Sequence, residues 1–356
     1  MKKIQLVILS SFIFLSANAS FAQQCNCSAA FNWAKKEFEE NDAGYQYIID
    51  QKGREAYQLH NGIFQKRVKK ITNADSCVLA IKDWSRFFRV GHFRFVVNQA
   101  PAQQGNATSR IARDSIYVRD YDANTTYLRI TTFDSNHTKQ IDSVLSANKQ
   151  KITSKKNLII DIRDNGGGTD QSFFNIIPIL YTNPIRNLPV EYLSTPQNNQ
   201  SWEERMQQKD LNEASRAWYA GSVKKLHANP GKFVMLSSDS VYFTTYDVKY
   251  PQPANVAVII NGNNGSTAEQ FLLAARQSKK VKLFGTTTMG ELDISNMYSV
   301  TSPDKQYTLW YCTSKSLRIP DFTIDNKGIS PDFYIDRSVP KDKWVPYVAG
   351  IMKDWQ

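Results

Sequence analysis

Ser266 stands in a short run, residues 261–269, with Gly262 and Gly265 before it and Glu269 three places after it. The apolar residues Val256 to Ile260 lead in, and Ala268, Phe271, Leu272 and Ala275 follow at the spacing of one helical face. The pattern predicts a buried strand, a glycine-containing turn and a helix that begins near Ser266. A hydroxyl there meets the positive end of a helix and its unpaired backbone N–H groups, a setting that suits a nucleophile whose product carries negative charge. Serine followed three places later by glutamate is also the spacing of a capping box, in which both side chains satisfy the helix's own amides. Taken alone, the stretch leaves both roles open.

A second turn closes the apolar run Leu158 to Ile162 with Asp164, Asn165, Gly166, Gly167 and Gly168. Three glycines bring bare backbone N–H groups close to a ligand, as an oxyanion hole requires. A tight strand-to-helix turn without chemistry is the other reading, and the Gly-Lys-Ser/Thr ending of a phosphate loop is absent. A serine nucleophile also needs a base. Of four histidines, His60, His137 and His227 lie in polar, loop-like settings, while His92 directly precedes the aromatic strand that starts at Phe93. A neutral imidazole, with an unperturbed pKa of ~6.5, accepts a proton near neutral pH.

These residues must be held by a scaffold, and the hydrophobic pattern divides the chain. Residues 23–97 read as an N-terminal helical domain: Phe31, Ala34 and Phe38, then Val78, Ile81, Trp84, Phe87 and Phe88, mark amphipathic helices. A polar, breaker-rich linker is expected over 98–125. From Tyr127 strands alternate with helices, the mark of parallel β–α units, and this core is expected over 126–340. Residues 196–228 form a polar excursion, helical from Trp202 to Lys225, and a helix over 341–356 closes the chain.

Composition narrows the function classes. At 41% hydrophobic, 356 residues can bury a large core. Lys2 and Lys3, the apolar stretch Ile4 to Leu15, and Ser20 to Ala22 have the three regions of a secretory signal. Cleavage after Ala22 is expected, with Ala19 the alternative, and the apolar run is too short to span a membrane. Gln23 and Gln24 before Cys25 make a poor lipoprotein signal, so an exported soluble protein is expected, periplasmic or secreted. The net charge of +11 is scattered, with modest clusters at Lys66 to Lys70 and Lys149 to Lys156, and no stripe interleaved with aromatics points to nucleic acid. Cys25 and Cys27 open the mature chain and Cys77 lies in the same helical region, so a disulfide from the N-terminus to Cys77 is expected, Cys27 the preferred partner. The Cys-x-Cys spacing is wrong for a zinc knuckle, and Cys312 reads as a buried thiol in a strand. No metal or cofactor is expected.

Taken in order, four blocks resemble the serine peptidases that include the C-terminal processing (tail-specific) proteases and the tricorn core protease. They are Leu158 to Gly168, Val258 to Glu269, Gly285 to Gly290, and Gly328 to Asp332, behind N-terminal helices and the pair Gly91–His92. The resemblance implies an α/β fold with a crotonase/ClpP-like core, a peptide or protein substrate and an acyl-enzyme on Ser266. It implies oxyanion donors at Thr267 and at Gly166 or, second, Gly167. Processing proteases place a base lysine two residues after the third block's glycine motif; Glu291 follows Gly290 here, so that dyad is absent. Tricorn-like members use histidine, which matches His92, with a glutamate whose role falls to Glu291. The serine that precedes the histidine in tricorn is Gly91, and no PDZ-like segment is present between the linker and Tyr127. The expectation is an exported serine endopeptidase of the tricorn-like kind. Its rivals are a non-catalytic small-molecule or peptide binder on the same fold and an acyl-CoA enzyme of the crotonase kind.

Overall fold

Leu158 to Asp161 and Val256 to Ile260 are apolar or buried at every position, which only a strand covered on both faces tolerates. They form the centre of the core in a computed structural model that describes residues 25–98 and 116–355. The expected signal segment, both cleavage positions and most of the expected linker lie outside the described residues.

Four helices come first: α1 (Cys27–Asn41), α2 (Tyr45–Lys52), α3 (Arg54–Val68) and α4 (Ala74–Ser85). Asn26 and Asn73 cap α1 and α4 by accepting from the amides of Ala29 and Ser76. Next come β1 (Arg94–Val97), β2 (Ile116–Asp120), β3 (Thr125–Ile130), α5 (Thr138–Ala147), α6 (Lys149–Ser154), β4 (Asn157–Asp161) and α7 (Ile177–Leu180). The middle of the chain holds β5 (Ile185–Asn187), β6 (Val190–Leu193), α8 (Pro196–Met206), α9 (Glu213–His227), β7 (Phe233–Met235) and β8 (Tyr242–Thr244). The last third holds β9 (Asn255–Ile260), α10 (Thr267–Ala275), β10 (Val281–Gly285), β11 (Ile294–Thr301), β12 (Tyr307–Ser316), β13 (Phe333–Tyr334) and α11 (Trp344–Lys353).

The main sheet has the order β13-β10-β9-β4-β3-β2, parallel except for β2 against β3. Alternation splits its side chains between two layers. Leu158, Ile160, Val256, Val258 and Ile260 pack on Ile141 of α5 and Phe271 and Leu272 of α10. Ile159, Ala257 and Ile259 face Trp344, Val348 and Met352 of α11. A second sheet, order β1-β12-β6-β7 with β11 also on β12, is antiparallel throughout.

Three expectations change. Residues 116–120, read as linker, are strand β2: Ile116 is buried in the core and Val118 packs part-buried against it, an alternation too short to stand out in the sequence. The N-terminal helices do not close a core of their own: Phe31, Phe38, Trp84 and Phe88 share one with Phe95 of β1 and with Tyr307, Leu309 and Tyr311 of β12. The polar excursion is two helices rather than one, broken between Met206 and Glu213, and Trp202, Leu226 and Val234 make its small core.

Cys27 and Cys77 are joined by a disulfide, and Cys25 and Cys312 are buried free thiols. Among the described residues no helix is long and apolar enough to cross a membrane, and no cluster of three or more His, Cys, Asp or Glu could hold a metal ion.

Candidate active site

Strands β4 and β9 are parallel neighbours in register, Asp161 opposite Ile259, so the turns that leave their C-terminal ends lie side by side. A crevice at that position is where open parallel sheets bind ligands. Asparagines stitch the two turns together. Asn261 accepts from the Asp164 amide at 3.0 Å and donates to the Asp164 carboxylate at 2.8 Å. Asn264 donates to the carbonyls of Ile162 and Asn165. The glycine turn and the serine turn are thereby one rigid unit.

Ser266 occupies φ 54°, ψ −124°, a conformation that favours glycine, and its side chain makes no capping hydrogen bond to α10. Strain of this kind costs about 1–3 kcal/mol and persists only where surrounding structure imposes it. The hydroxyl is therefore free for chemistry. Glu269 keeps only the glutamate's half of a capping box, facing the Ser266 amide, while the Ser266 hydroxyl caps nothing. Its buried carboxylate accepts from the Thr288 hydroxyl and from the amides of Gly290 (2.8 Å) and Glu291 (2.9 Å). Burial raises its pKa, while these donors and the Ser266 amide oppose the shift. Thr288 in turn accepts from the Ile329 amide at 2.7 Å, and Met289 donates to the Asn264 carbonyl at 2.8 Å. The residues at 285–290 and 328–332 are thus tied to the serine turn.

The two oxyanion alternatives differ in what their amides do. The Gly167 N–H donates to the Asn165 side chain at 3.0 Å, whereas among the described residues the Gly166 and Thr267 amides meet no protein acceptor. Gly167, at φ 99°, lies against Ser266: a β-carbon there would stand 2.8 Å from both Ser266 Cβ and the Thr267 nitrogen.

His92 sits at the junction of the helices and the second sheet. Its Nδ1 is 2.7 Å from the Ile294 carbonyl oxygen. A carbonyl only accepts, so Nδ1 carries the hydrogen and Nε2 keeps its lone pair. Burial drives the ring's pKa down to about 4, with Arg89 adding to the effect and the Ile294 bond and Asp42 opposing it. Arg89, ion-paired with buried Asp42, also donates to the His92 carbonyl at 3.1 Å.

Glu291 joins the two halves. A β-carbon on Gly91 would fall 1.6 Å from Glu291 Oε2, and one on Gly265 would fall 2.3 Å from Oε1. One carboxylate is therefore wedged between the residue before His92 and the residue before Ser266. The expected imidazole contact is different: the carboxylate accepts from the His92 backbone N–H, while the ring is held by Ile294. The same geometry accounts for Gly91, since a serine β-carbon would occupy the space of Glu291. Burial lifts the Glu291 pKa to about 7, and the charges of Glu269 and Asp325 push the same way.

The remaining candidates lie elsewhere. Two lysines that could be asked to replace His92 as base are otherwise placed: Lys315 pairs with Glu191 at 3.1 Å, and Lys282 is exposed on β10. His60 bonds the Trp84 carbonyl and His227 bonds Glu203. The Ile294 carbonyl and the linking asparagines did not stand out in the sequence. Asn261 and Asn264 flank Ser266 closely enough to have been suspected; a main-chain carbonyl leaves no mark.

The model of Peptidase family S41 matches residues 124–335, more than half of the chain. Compared by sequence with curated proteins, the chain matches none. Among solved structures it is similar to a lipoprotein from Streptococcus agalactiae, at 15% identity and a TM-score of 0.50, with 92% of this chain and 96% of that one covered. It is also similar to a candidate peptidase from Parabacteroides merdae, at 15% identity and a TM-score of 0.54, with 93% and 98% covered. At such identities the likeness is one of fold.

Proposed function

The chain belongs to peptidase family S41 and is thereby a serine peptidase, and from that premise we propose that it is an exported endopeptidase working through an acyl-enzyme on Ser266, with His92 as base. The observation that carries this reading is the strained, uncapped Ser266 beside two unengaged amides. As Ser266 Oγ attacks a peptide carbonyl, His92 Nε2 takes its proton and the carbonyl oxygen becomes an oxyanion. The N–H groups of Gly166 and Thr267 donate to that oxyanion, each worth about 3–4 kcal/mol in the transition state. The imidazolium then gives the proton to the leaving amine, which departs as the acyl-enzyme forms. Water, deprotonated by the same ring, releases the acyl group and restores the serine.

Glu291 acts beside this sequence. Ionised, it holds the His92 amide; the ring itself is oriented through Ile294. Export is supported by the signal-like N-terminal segment and by the Cys27–Cys77 disulfide, which persists in oxidising compartments. A cavity of about 250 Å³ beneath α8, lined by Tyr192, Trp202, Glu204, Arg205 and Tyr298, offers aromatic surface and charges of both signs to a substrate side chain.

The base assignment is tested by substitution. His92→Ala lowers kcat on a fluorogenic peptide by several orders of magnitude, and Lys315→Ala leaves it nearly unchanged. Full activity in His92→Ala would remove the histidine mechanism and return attention to Lys315.

A further inference from the structure

Among the described residues no carboxylate bonds the His92 ring, so whatever fixes the Ile294 carbonyl fixes the base. Ile294 opens β11, and strand ends fray unless their amides are held. Here one side chain holds three successive amides. Asp325 Oδ1 accepts from Leu292 at 2.7 Å and from Asp293 at 2.6 Å, and Oδ2 accepts from Ile294 at 3.0 Å. The grip is reciprocal. Asp293, fully buried, accepts from the amides of Asp325 (3.0 Å) and Ile324 and from the Thr323 hydroxyl (2.6 Å), while Arg318 supplies the positive charge at 2.6 Å. The segment 323–325 is thereby locked to 292–294, between Glu291 on one side and the His92 contact on the other.

An ordinary strand-end cap would stabilise the fold and do nothing more. The location argues for more. The clamped residues include Ile294, whose carbonyl meets His92 Nδ1 at 2.7 Å, and they follow directly on Glu291, wedged between Gly91 and Gly265. Three charge-assisted bonds on consecutive amides fix the chain up to the Ile294 Cα, and the register of β11 on β12, Ile294 opposite Lys315 and Ser295 opposite Ser314, holds the next peptide, which carries the Ile294 carbonyl. A carbonyl so fixed accepts from Nδ1 and excludes the tautomer that would put hydrogen on Nε2.

We propose that Asp325 is a positioning residue of the peptidase site: by clamping the amides of Leu292, Asp293 and Ile294 it aims the Ile294 carbonyl at His92 Nδ1 and so keeps Nε2 free to take the Ser266 proton. The consequence for catalysis rests on the reading of Ser266 and His92 given above. The ring contact itself does not.

Asp325→Asn is the informative variant. It keeps the shape but turns one oxygen into an NH₂ group, which cannot accept from Ile294 or, flipped, from Leu292 and Asp293. Two quantities are read on the full protein: the His92 tautomer from ¹⁵N-histidine NMR, assigned with His92→Ala, and kcat and KM on a fluorogenic peptide. Wild type shows Nδ1–H. Asp325→Asn shows an increased Nε2–H population and a kcat about 100-fold lower, with KM little changed, the cost of a misplaced reacting group. A folded Asp325→Asn protein with the wild-type tautomer and wild-type kcat would overturn the proposal. Should that variant not fold, the wild-type ring decides, since Nε2–H there removes the Ile294 contact and the proposal with it. A wild-type protein with the expected ring but no hydrolysis would instead sink the peptidase reading alone.

Discussion

The backbone at Ser266 yields a prediction that separates a strained nucleophile from a helix cap. At φ 54°, ψ −124° a residue with a β-carbon is held against its preference, at about 1–3 kcal/mol. Glycine removes that strain and gives back about 0.4–1 kcal/mol through the freedom it adds to the unfolded chain. Ser266→Gly is therefore about 1 kcal/mol more stable than Ser266→Ala. Ser266→Ala itself stays close to wild type, because the serine side chain makes no capping bond to lose. A side-chain cap gives the same order of the two variants but a different offset from wild type: Ser266→Ala falls by about 0.5–2 kcal/mol while glycine costs only a few tenths. The assay is urea unfolding of all three proteins with a shared slope, so that midpoints report stability. Ser266→Gly less stable than Ser266→Ala would refute the strain argument, and a full cap-sized loss in Ser266→Ala would restore the capping box.

Other consequences follow from the same geometry. Because His92 is depressed to about 4 and Glu291 raised to about 7, kcat/KM rises with pH through about 7, and Glu291→Gln removes that limb, leaving the one near 4; a wild-type profile with only the lower limb would show that ionised Glu291 is not required. Gly91→Ser forces its β-carbon into Glu291 and costs about 1–3 kcal/mol, and Glu291→Ala relieves most of it, so a double-mutant cycle in urea that proves additive would exclude the clash. The raised Glu291 pKa means that the folded state binds the extra proton between about 4.5 and about 7, so stability falls as pH rises through that window. That loss, about 1–2 kcal/mol after allowing for partial solvent access, is absent in Glu291→Gln, as parallel urea titrations show. Reducing the Cys27–Cys77 bond, which spans a sequence separation of 50, costs about 4 kcal/mol, and non-reducing peptide mapping of the exported fraction finds it intact; free thiols at all four cysteines would contradict the export reading.

Much of the fold and part of the site could be read from the chain because their signals are local. The apolar runs of β4 and β9 and the periodic face of Phe271 and Leu272 are properties of neighbours in sequence. The glycine turn and Ser266 sit at the ends of those runs, so finding the strands finds them. The pairing of β1 with β12 joins Arg94 to Trp310, and no periodicity in four residues announces so distant a partner. The role of Glu291 was misplaced for a related reason. Its sequence position suggests a contact with the imidazole, yet the bare backbones of Gly91 and Gly265 admit the carboxylate between them and leave the ring to a carbonyl. Nor did Asp325 stand out, since an aspartate between Ile324 and Asn326 looks like any turn residue until its three amide donors are seen.

The central claim is that Ser266 is a nucleophile activated by His92. Its most direct test is mass-spectrometric mapping of the adduct left by a serine-reactive phosphonate on the folded wild-type protein and on His92→Ala at neutral pH. One adduct on the peptide that carries Ser266, absent from His92→Ala, is the predicted result. No adduct on wild type, an adduct on another residue, or equal labelling in His92→Ala would contradict it.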